Sequence, residues 1–489
     1  MSHAKKIAEN AAWLVIANTA QKAVSFIAFT LIARMVGVEI TGVYFFAVSI
    51  TSIFVVFADL GLTPVIIREM AADEARGRAA LGQALRLKFL LIPLTVVATL
   101  AYAFFTGITG TTFLAVAMAC YVMSADSVHL IWYGALRGKR ELRYEAAGMF
   151  VGQVLTAIIG ISAAYFGYGV LGLVFSLMIG STWHVIWSMS RAFKLGLYPK
   201  EGSASLSILL RAAVPFGLAG IFVKVYSYVD SIMLQQIHGN ADVGEYAVAY
   251  KLTYALQFLP LAFVAALYPG MSNAAQNDRK SLPGLLKGSL RLMMIASVPL
   301  AALLSSLAYI IIPVVYGAPF AGAIAPLMVL PWVLIPIFLD FPIGSLLNAT
   351  HRAGLKTTAM GITMVVNVIA NMMLIPSMGP TGAAWAGVIS FVVLFFLGWW
   401  FARSDIDSKW LAMLLARGIF AAGITWISVY FLTPIMTPIF AVLFAVAAAV
   451  VSLFLFRLLS VSDVLTAMGW LRRRVSPPPL EDEELHDKP

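Results

Sequence analysis

The chain has 489 residues, of which 61% are hydrophobic and 11% charged, and it carries a formal net charge of +10. Soluble domains have about 25% charged and roughly 45–50% apolar residues, so an ordinary water-soluble enzyme is excluded. The one cysteine, Cys120, lies in an apolar run, which removes disulfide frameworks and cysteine-based metal sites.

A helix needs about 20 apolar residues to cross a bilayer. Fourteen stretches qualify and predict an all-α polytopic membrane protein. The first six are 11–33, 40–63, 85–107, 111–136, 146–167 and 169–190. Six more follow at 208–236, 244–270, 286–312, 320–348, 357–376 and 380–402, and two close the series at 409–432 and 436–460. The first is too long for a cleaved signal and has Lys22 in its middle.

The basic residues cluster in alternate connections. Lys5 and Lys6 precede span one; Arg68, Arg76, Arg78, Arg86 and Lys88 lie in or beside the connection after span two. Arg137, Lys139, Arg140 and Arg143 follow span four, Arg191 and Lys194 span six, Arg279 and Lys280 span eight, and Arg472, Arg473 and Arg474 span fourteen. The intervening connections are nearly free of Lys and Arg, with Arg34 the exception. The positive-inside rule then puts both termini in the cytoplasm. The net positive charge is a collar facing anionic lipids rather than a nucleic-acid surface, and for most of these residues a topology signal suffices. Beyond the last span, residues 461–489 read as an interfacial helix followed by a disordered, Pro-rich acidic tail.

Residues 1–205 and 206–405 read as a duplication. Gly37, Gly42, Tyr44 and Lys22 fall on Gly239, Gly244, Tyr246 and Lys224 at a constant offset of 202. Leu142–Gly148 faces Leu355–Gly361, and Gly169 faces Gly382, at an offset of 213. Each unit holds six spans and starts on the same side, which predicts two six-helix lobes in parallel repeat, with residues 406–460 adding two helices. Such repeats mark transporters whose substrate site lies between the halves. Prolines number three in the first unit and thirteen in the second, with Pro326, Pro331, Pro336 and Pro342 all in span ten. The second lobe is therefore expected to be the more deformable one, although each proline is equally consistent with a static kink.

A charge in the bilayer core costs at least ~2.5–3.5 kcal/mol, so it normally faces a cavity or a partner. Asn18, Gln21, Lys22 and Ser25 form one helical stripe in span one, and Lys224, Ser227, Ser231 and Gln235 form another in span seven. The recurrence favours a cationic cavity holding an anionic group over structural ion pairs with Asp126 or Asp340. Lys251 and the non-conforming Arg34 are further candidates, Lys251 being able to snorkel instead. Asp230, whose repeat counterpart is Ala28, shares a depth with Asn367 and Asn371, one turn apart in span eleven. Hard oxygens of this kind suit an alkali cation or a proton, and a helix–helix hydrogen bond explains them equally well. Asp126, His129 and Tyr133 share a face of span four and read as a satisfied polar contact; His184 reads as packing. No phosphate-binding loop and no His/Cys metal motif is present, so neither ATP hydrolysis nor a metal cofactor is expected.

These residues carry a family resemblance. Gly37-x4-Gly42-x-Tyr44, the run Asp59-Leu60-Gly61-Leu62 with Arg68 beyond it, and Val229-Asp230-x-Ile232-Met233-Leu234 resemble the polysaccharide (O-antigen type) flippases. So does Asn367-x3-Asn371-x2-Leu374-Ile375-Pro376-x2-Gly379-x2-Gly382. Their superfamily also holds the multidrug/toxin extruders and lipid II flippases. The resemblance implies two lobes in a V around a cavity in a bacterial inner-membrane transporter rather than an enzyme. It would move a polyprenyl-pyrophosphate-linked oligosaccharide by alternating access, driven by Na+ or H+, with glycan-assembly proteins as partners. Lys22 and Lys224 would meet the pyrophosphate. Asp230, Asn367 and Asn371 match a cation site of lipid II flippase relatives, whose second carboxylate is an Asn here. The alternatives are a lipid II flippase, a cation-coupled drug exporter and a membrane-embedded glycan polymerase or ligase. A basic cavity disfavours the exporter, and short outer loops disfavour the polymerase.

Overall fold

The computed structural model describes residues 3–200, 206–432, 436–460 and 462–463, with side chains described for residue 17 and from 19 onward. Among them the chain is helical, with no strand. The segment expected as an interfacial helix and tail lies outside the described residues except for Ser462 and Asp463. The first half comprises α1 (His3–Asp59), α2 (Leu62–Ala72), α3 (Glu74–Phe105), α4 (Gly110–Gly138), α5 (Leu142–Tyr165) and α6 (Gly169–Lys194). The second half runs through α7 (Leu206–His238), α8 (Asn240–Ala255), α9 (Phe258–Asn277), α10 (Leu282–Ser306), α11 (Ala308–Val315), α12 (Ile324–Val329), α13 (Leu334–Ala349) and α14 (Ala353–Ala402). Helices α15 (Ser408–Leu432) and α16 (Pro438–Leu455) follow.

Twelve helical segments are long and apolar enough to cross a membrane. Two of these, Thr19–Asp59 and Ala353–Ala402, are each a pair of crossings joined end to end, broken at Gly37 and Gly379. All fourteen expected crossings are thus present, and the chain is a multi-pass membrane protein.

Two of the paired glycines adopt the same backbone conformation. Gly37 has φ 81° and ψ 178°, and its repeat mate Gly239 has φ 93° and ψ −170°. A side chain is strained in that region, so glycine is what lets both halves make the same turn between their first two crossings. In the later connection the turn glycine is Gly379, at φ 52°, rather than the paired Gly382.

Proline explains where the second half departs from simple rods. Span ten is not one helix: α12 gives way to a 3₁₀ segment at Leu330–Val333 before α13 resumes. Span eight is also broken, at Leu256–Gln257, between α8 and α9. Pro260 has no N–H to donate to the Leu256 carbonyl, which ends the ladder there. Span two is shorter than expected: α1 stops at Asp59, Leu60 and Gly61 adopt φ 48° and 77°, and α2 leaves as a separate helix.

Helix α1 carries the architecture. It packs on α4 and α5 within its own half and on α7 and α8 of the other. One apolar core joins Phe45, Phe46 and Ile50 to Tyr246, Leu330 and Ile375. A second core fills the end bearing the basic connections, where Leu62, Ile66 and Trp132 meet Leu209 and Ala213 of α7. There a Cβ on Gly61 would come within 2.4 Å of the Ala213 carbonyl oxygen, so α7 and the α1–α2 turn touch backbone to backbone. A third core builds α10, α13, α15 and part of α14 into one block.

Lys88 is not part of the basic collar. It is 1% exposed and donates to Asp59 Oδ1 at 2.9 Å, Ser127 Oγ at 2.6 Å and the Ala58 carbonyl at 3.2 Å. Its ammonium reaches the Ala58 carbonyl freed where α1 ends, and the neighbouring carboxylate offsets the cost of burying it.

Candidate functional site

Two adjoining cavities, of about 400 Å³ and about 180 Å³, share Val48, Gln153, Thr156 and Leu177 in one region of the first half. Their walls come from α1, α4, α5 and α6. Two cations enter them from the second half: Lys224 of α7 lines the larger cavity and Lys251 of α8 the smaller. Gln21 and Ser25 line them from α1, so half of the expected stripe faces this space. Lys22 stands exposed between them and repels Lys251. Asn18 lies outside the residues whose side chains are described.

The lysines are held by rings. Lys224 Nζ sits 5.3 Å from the centroid of Tyr228, and Lys251 Nζ sits 5.3 Å from that of Phe29. A cation over an aromatic face keeps its charge without consuming a carboxylate. Neither carboxylate considered as a structural partner makes an ion-pair contact with Lys22 or Lys224 among the described residues. Asp340 pairs with Lys356 at 3.0 Å. Asp126 accepts from Ser181 Oγ at 2.6 Å and attracts Lys224 from across the cavity.

Arg34 is not brought to this space. Its Nη1 donates to the Val314 carbonyl at 2.9 Å and the Val315 carbonyl at 3.4 Å. These are the last carbonyls of α11, unpaired within the helix, and a guanidinium there caps them.

Asp230 is 3% exposed. Tyr246 donates to its Oδ2 at 2.5 Å, and Ser231 donates to Oδ1 from its backbone N at 2.7 Å and its hydroxyl at 3.2 Å. The first half keeps the repeat mate of that tyrosine, Tyr44, beside Ala28 in the cavity wall. Asn371 Nδ2 donates to the Asn367 carbonyl at 2.9 Å and to Asn367 Oδ1 at 3.1 Å, and Asn367 Nδ2 donates to Ser390 at 3.0 Å. Helices α7 and α14 pack together, yet no hydrogen bond among the described residues joins Asp230 to the asparagines. Asn371 Oδ1 is buried with no partner. An orphaned hard oxygen beside a second amide is suited to an alkali cation. No cluster of three His, Cys, Asp or Glu residues exists among the described residues.

The sequence reading put Asp126, His129 and Tyr133 on one face but missed that His184, Arg137 and Glu145 extend them into a polar column in the first half. His184 is not simple packing: its Nδ1 lies 3.3 Å from the Tyr133 hydroxyl, and its ring centroid lies 4.9 Å from that of His129. His129 Nε2 is in turn 3.7 Å from Asp126 Oδ1. Arg137 and Glu145 form an ion pair at the foot of the column. The available signal was the spacing: Asp126, His129, Tyr133 and Arg137 recur every three or four residues and share a face of α4.

Residues 7–275, more than half of the chain, match the family described as polysaccharide biosynthesis protein. The chain belongs to that family. A Haloferax volcanii member of the curated proteins, the probable low-salt glycan biosynthesis flippase Agl15, is 24% identical over 390 residues, covering 79% of this chain and 81% of its own. The probable flippase AglR of the same organism is 24% identical over 263 residues, 53% of this chain and 54% of its own. Among solved structures, the lipid II flippase MurJ in an inward closed conformation superposes with a TM-score of 0.72 at 14% identity, over 94% of this chain and 99% of that one. An inward-facing multidrug resistance transporter of the MATE family gives 0.64 at 16% identity, over 78% and 94%. At these identities the likeness is one of fold. This polysaccharide biosynthesis family member therefore has the helical architecture of the superfamily that its motifs resemble.

Proposed function

We propose that the chain is a flippase that moves a polyprenyl-pyrophosphate-linked oligosaccharide across the cytoplasmic membrane by alternating access, its basic connections facing the cytoplasm. The observation that carries this reading is the pair of adjoining intramembrane cavities of the first half into which Lys224 and Lys251 project from the second. Polar wall groups such as Gln21, Ser25, Gln153 and Thr156 offer hydrogen bonds to sugar hydroxyls. Cations that touch no carboxylate offer a seat for a pyrophosphate. The binding site thus spans the moving boundary, so an anion on the lysines would tie its own position to the relative position of the halves. The family and the flippase names of two relatives support the substrate class.

Drive is assigned to an ion gradient. Asn371 Oδ1 and Asn367 would hold a sodium ion or a proton-bearing water, with Asp230 supplying charge one helix away. The ion would bias the second half between its two shapes by its difference in affinity for them.

Reconstituted vesicles bearing a fluorescent lipid-linked oligosaccharide test the reading. The wild type should translocate it, and the Lys224→Ala/Lys251→Ala variant should lose translocation while still inserting and eluting as a folded protein. Full translocation by that double variant would overturn the proposed role of the cations.

A further inference from the structure

The column on α4 has no part in the reading above, and it is built as a path. Asp126, His129, Tyr133 and Arg137 lie within twelve residues on one helical face, eleven steps that rise about 16 Å at 1.5 Å per residue. The path begins at the end that carries the basic connections, where Arg137 meets Glu145 of α5. It rises through Tyr133 to His184 of α6, passes ring to ring to His129, and ends at Asp126. All of these groups line the same cavity as Lys224. His129 Nδ1 is buried with no hydrogen-bond partner, so one ring nitrogen is left to take or give a proton.

Charge balance singles out Asp126. The charged groups around the column fall into pairs: Arg137 with Glu145, and Lys88 of α3 with Asp59 of α1, both in direct contact. The third pair is Asp126 with Lys224. It is the one that joins the two halves, and its members attract without touching. A carboxylate in a cavity, facing a cation on a separate moving body, has a charge state that the cation senses directly.

We infer that Asp126 and His129 form a proton site of the first half, fed from the basic end through Tyr133 and His184, and that its occupancy sets whether Lys224 is free to take an anion. In the deprotonated state the Asp126 carboxylate compensates Lys224. One proton from solvent added to that carboxylate gives a neutral acid, no bond other than O–H forms, and the cavity gains one positive charge. A pyrophosphate bound at Lys224 then draws in a proton, and by reciprocity a proton raises the affinity for pyrophosphate. The coupling to an anion rests on the flippase reading; the proton site does not.

Two measurements separate them. In nanodiscs without ligand, infrared difference spectra between about pH 5 and pH 8, the window in which histidine titrates, should contain a carboxylic acid C=O band that Asp126→Asn lacks. The absence of any such band overturns the proton site, whatever ligands do. Calorimetric titration with geranyl pyrophosphate, repeated in two buffers of different ionisation enthalpy, then counts protons taken up on binding. The wild type should take up a fraction of a proton that rises with pH, peaks between the titration midpoints of the free and bound states, and falls again above both. Asp126→Asn should take up none and should bind about 5–150-fold more tightly than the wild type at pH 8, the range typical of coupled sites. Proton uptake unchanged in Asp126→Asn overturns the linkage. A band that depends on Asp126 together with no binding of the pyrophosphate overturns the anion reading and leaves the proton site standing.

Discussion

Gly42 and Gly244 meet face to face where α1 crosses α8: a Cβ on Gly42 would lie 2.9 Å from the Gly244 nitrogen and 1.7 Å from the Asn240 carbonyl oxygen. The relation is reciprocal, since a Cβ on Gly244 would lie 2.1 Å from the Val38 carbonyl oxygen. The two glycines are repeat mates, 202 residues apart. The halves therefore cross at an approximate two-fold, each offering the other its bare backbone. Small residues are how membrane helices approach this closely. The crossing lies at the end away from the basic connections, next to the hydrogen bond from Asn240 Nδ2 to Glu39 Oε1, 3.1 Å long.

Gly42→Ala should accordingly push the crossing apart, because the new methyl meets backbone, which cannot rotate away. Overpacking of this kind costs about 1–3 kcal/mol, concentrated on the closed form of that end. In a Glu39→Cys/Asn240→Cys background, oxidative cross-linking should be rapid, and Gly42→Ala should slow it severalfold. Equal cross-linking with and without the alanine would show that the contact does not hold that end closed.

The buried pair Lys88–Asp59 gives a stability prediction. Removing one partner leaves an uncompensated charge buried inside the first half, and such losses cost about 3–5 kcal/mol. Lys88→Met should lower the thermal unfolding midpoint in detergent by a wide margin. Lys88→Met/Asp59→Leu should recover most of it, since no charge then remains buried. A double variant as unstable as the single one would show that the hydrogen bonds to Ala58 and Ser127, rather than the charge balance, are what matters.

The number of crossings and their order were legible in the sequence because hydrophobic length is a local signal, and glycine spacing located the turn glycines Gly37 and Gly239. What failed was local chemistry read without its neighbours. Lys88 sits four residues inside its predicted span, where a basic residue reads as collar; nothing in its own segment reveals Asp59 waiting on another helix. His184 was a lone histidine on α6 until α4 placed His129 and Tyr133 opposite it. A proline such as Pro260 marks a break in the ladder, but whether it kinks a helix or divides it depends on how the chain around Leu256 packs. For the site, only Lys224 of the expected pair lines the cavity, while Lys22 stands exposed and Lys251 supplies the second cation; Gln21 and Ser25 do face the cavity. Arg34 was misplaced because its partners, the end carbonyls of α11, lie 280 residues away in sequence.

Arg34→Ala supplies the control that this correction calls for. With its guanidinium on the Val314 and Val315 carbonyls and away from the cavity, its loss should cost the stability of a helix cap, about 0.5–2 kcal/mol by analogy with other caps. Translocation of a lipid-linked oligosaccharide in vesicles should stay near the wild-type rate. A loss as deep as that of the lysine variants would return Arg34 to the substrate path.

Asp230 is the last test, because it separates a driving site from a structural one. Its carboxylate is fully engaged by Tyr246 and Ser231, while the orphaned oxygen belongs to Asn371 on the helix packed against it. If Asp230 only fastens α8 to α7, Asp230→Asn should lower stability and leave the dependence of transport on a gradient intact. If it supplies charge to an ion held by Asn371 and Asn367, the variant should insert normally and transport at a rate indifferent to an imposed sodium or proton gradient. An ion bound about 100-fold more tightly in one shape than in the other contributes about 2.7 kcal/mol, enough to turn a balanced equilibrium almost wholly to one side. The ion reading requires a matching effect from Asn371→Leu, which removes the free oxygen and leaves Asp230 and its two donors in place. Gradient dependence that survives both substitutions would place the drive in the first half, on the column that ends at Asp126.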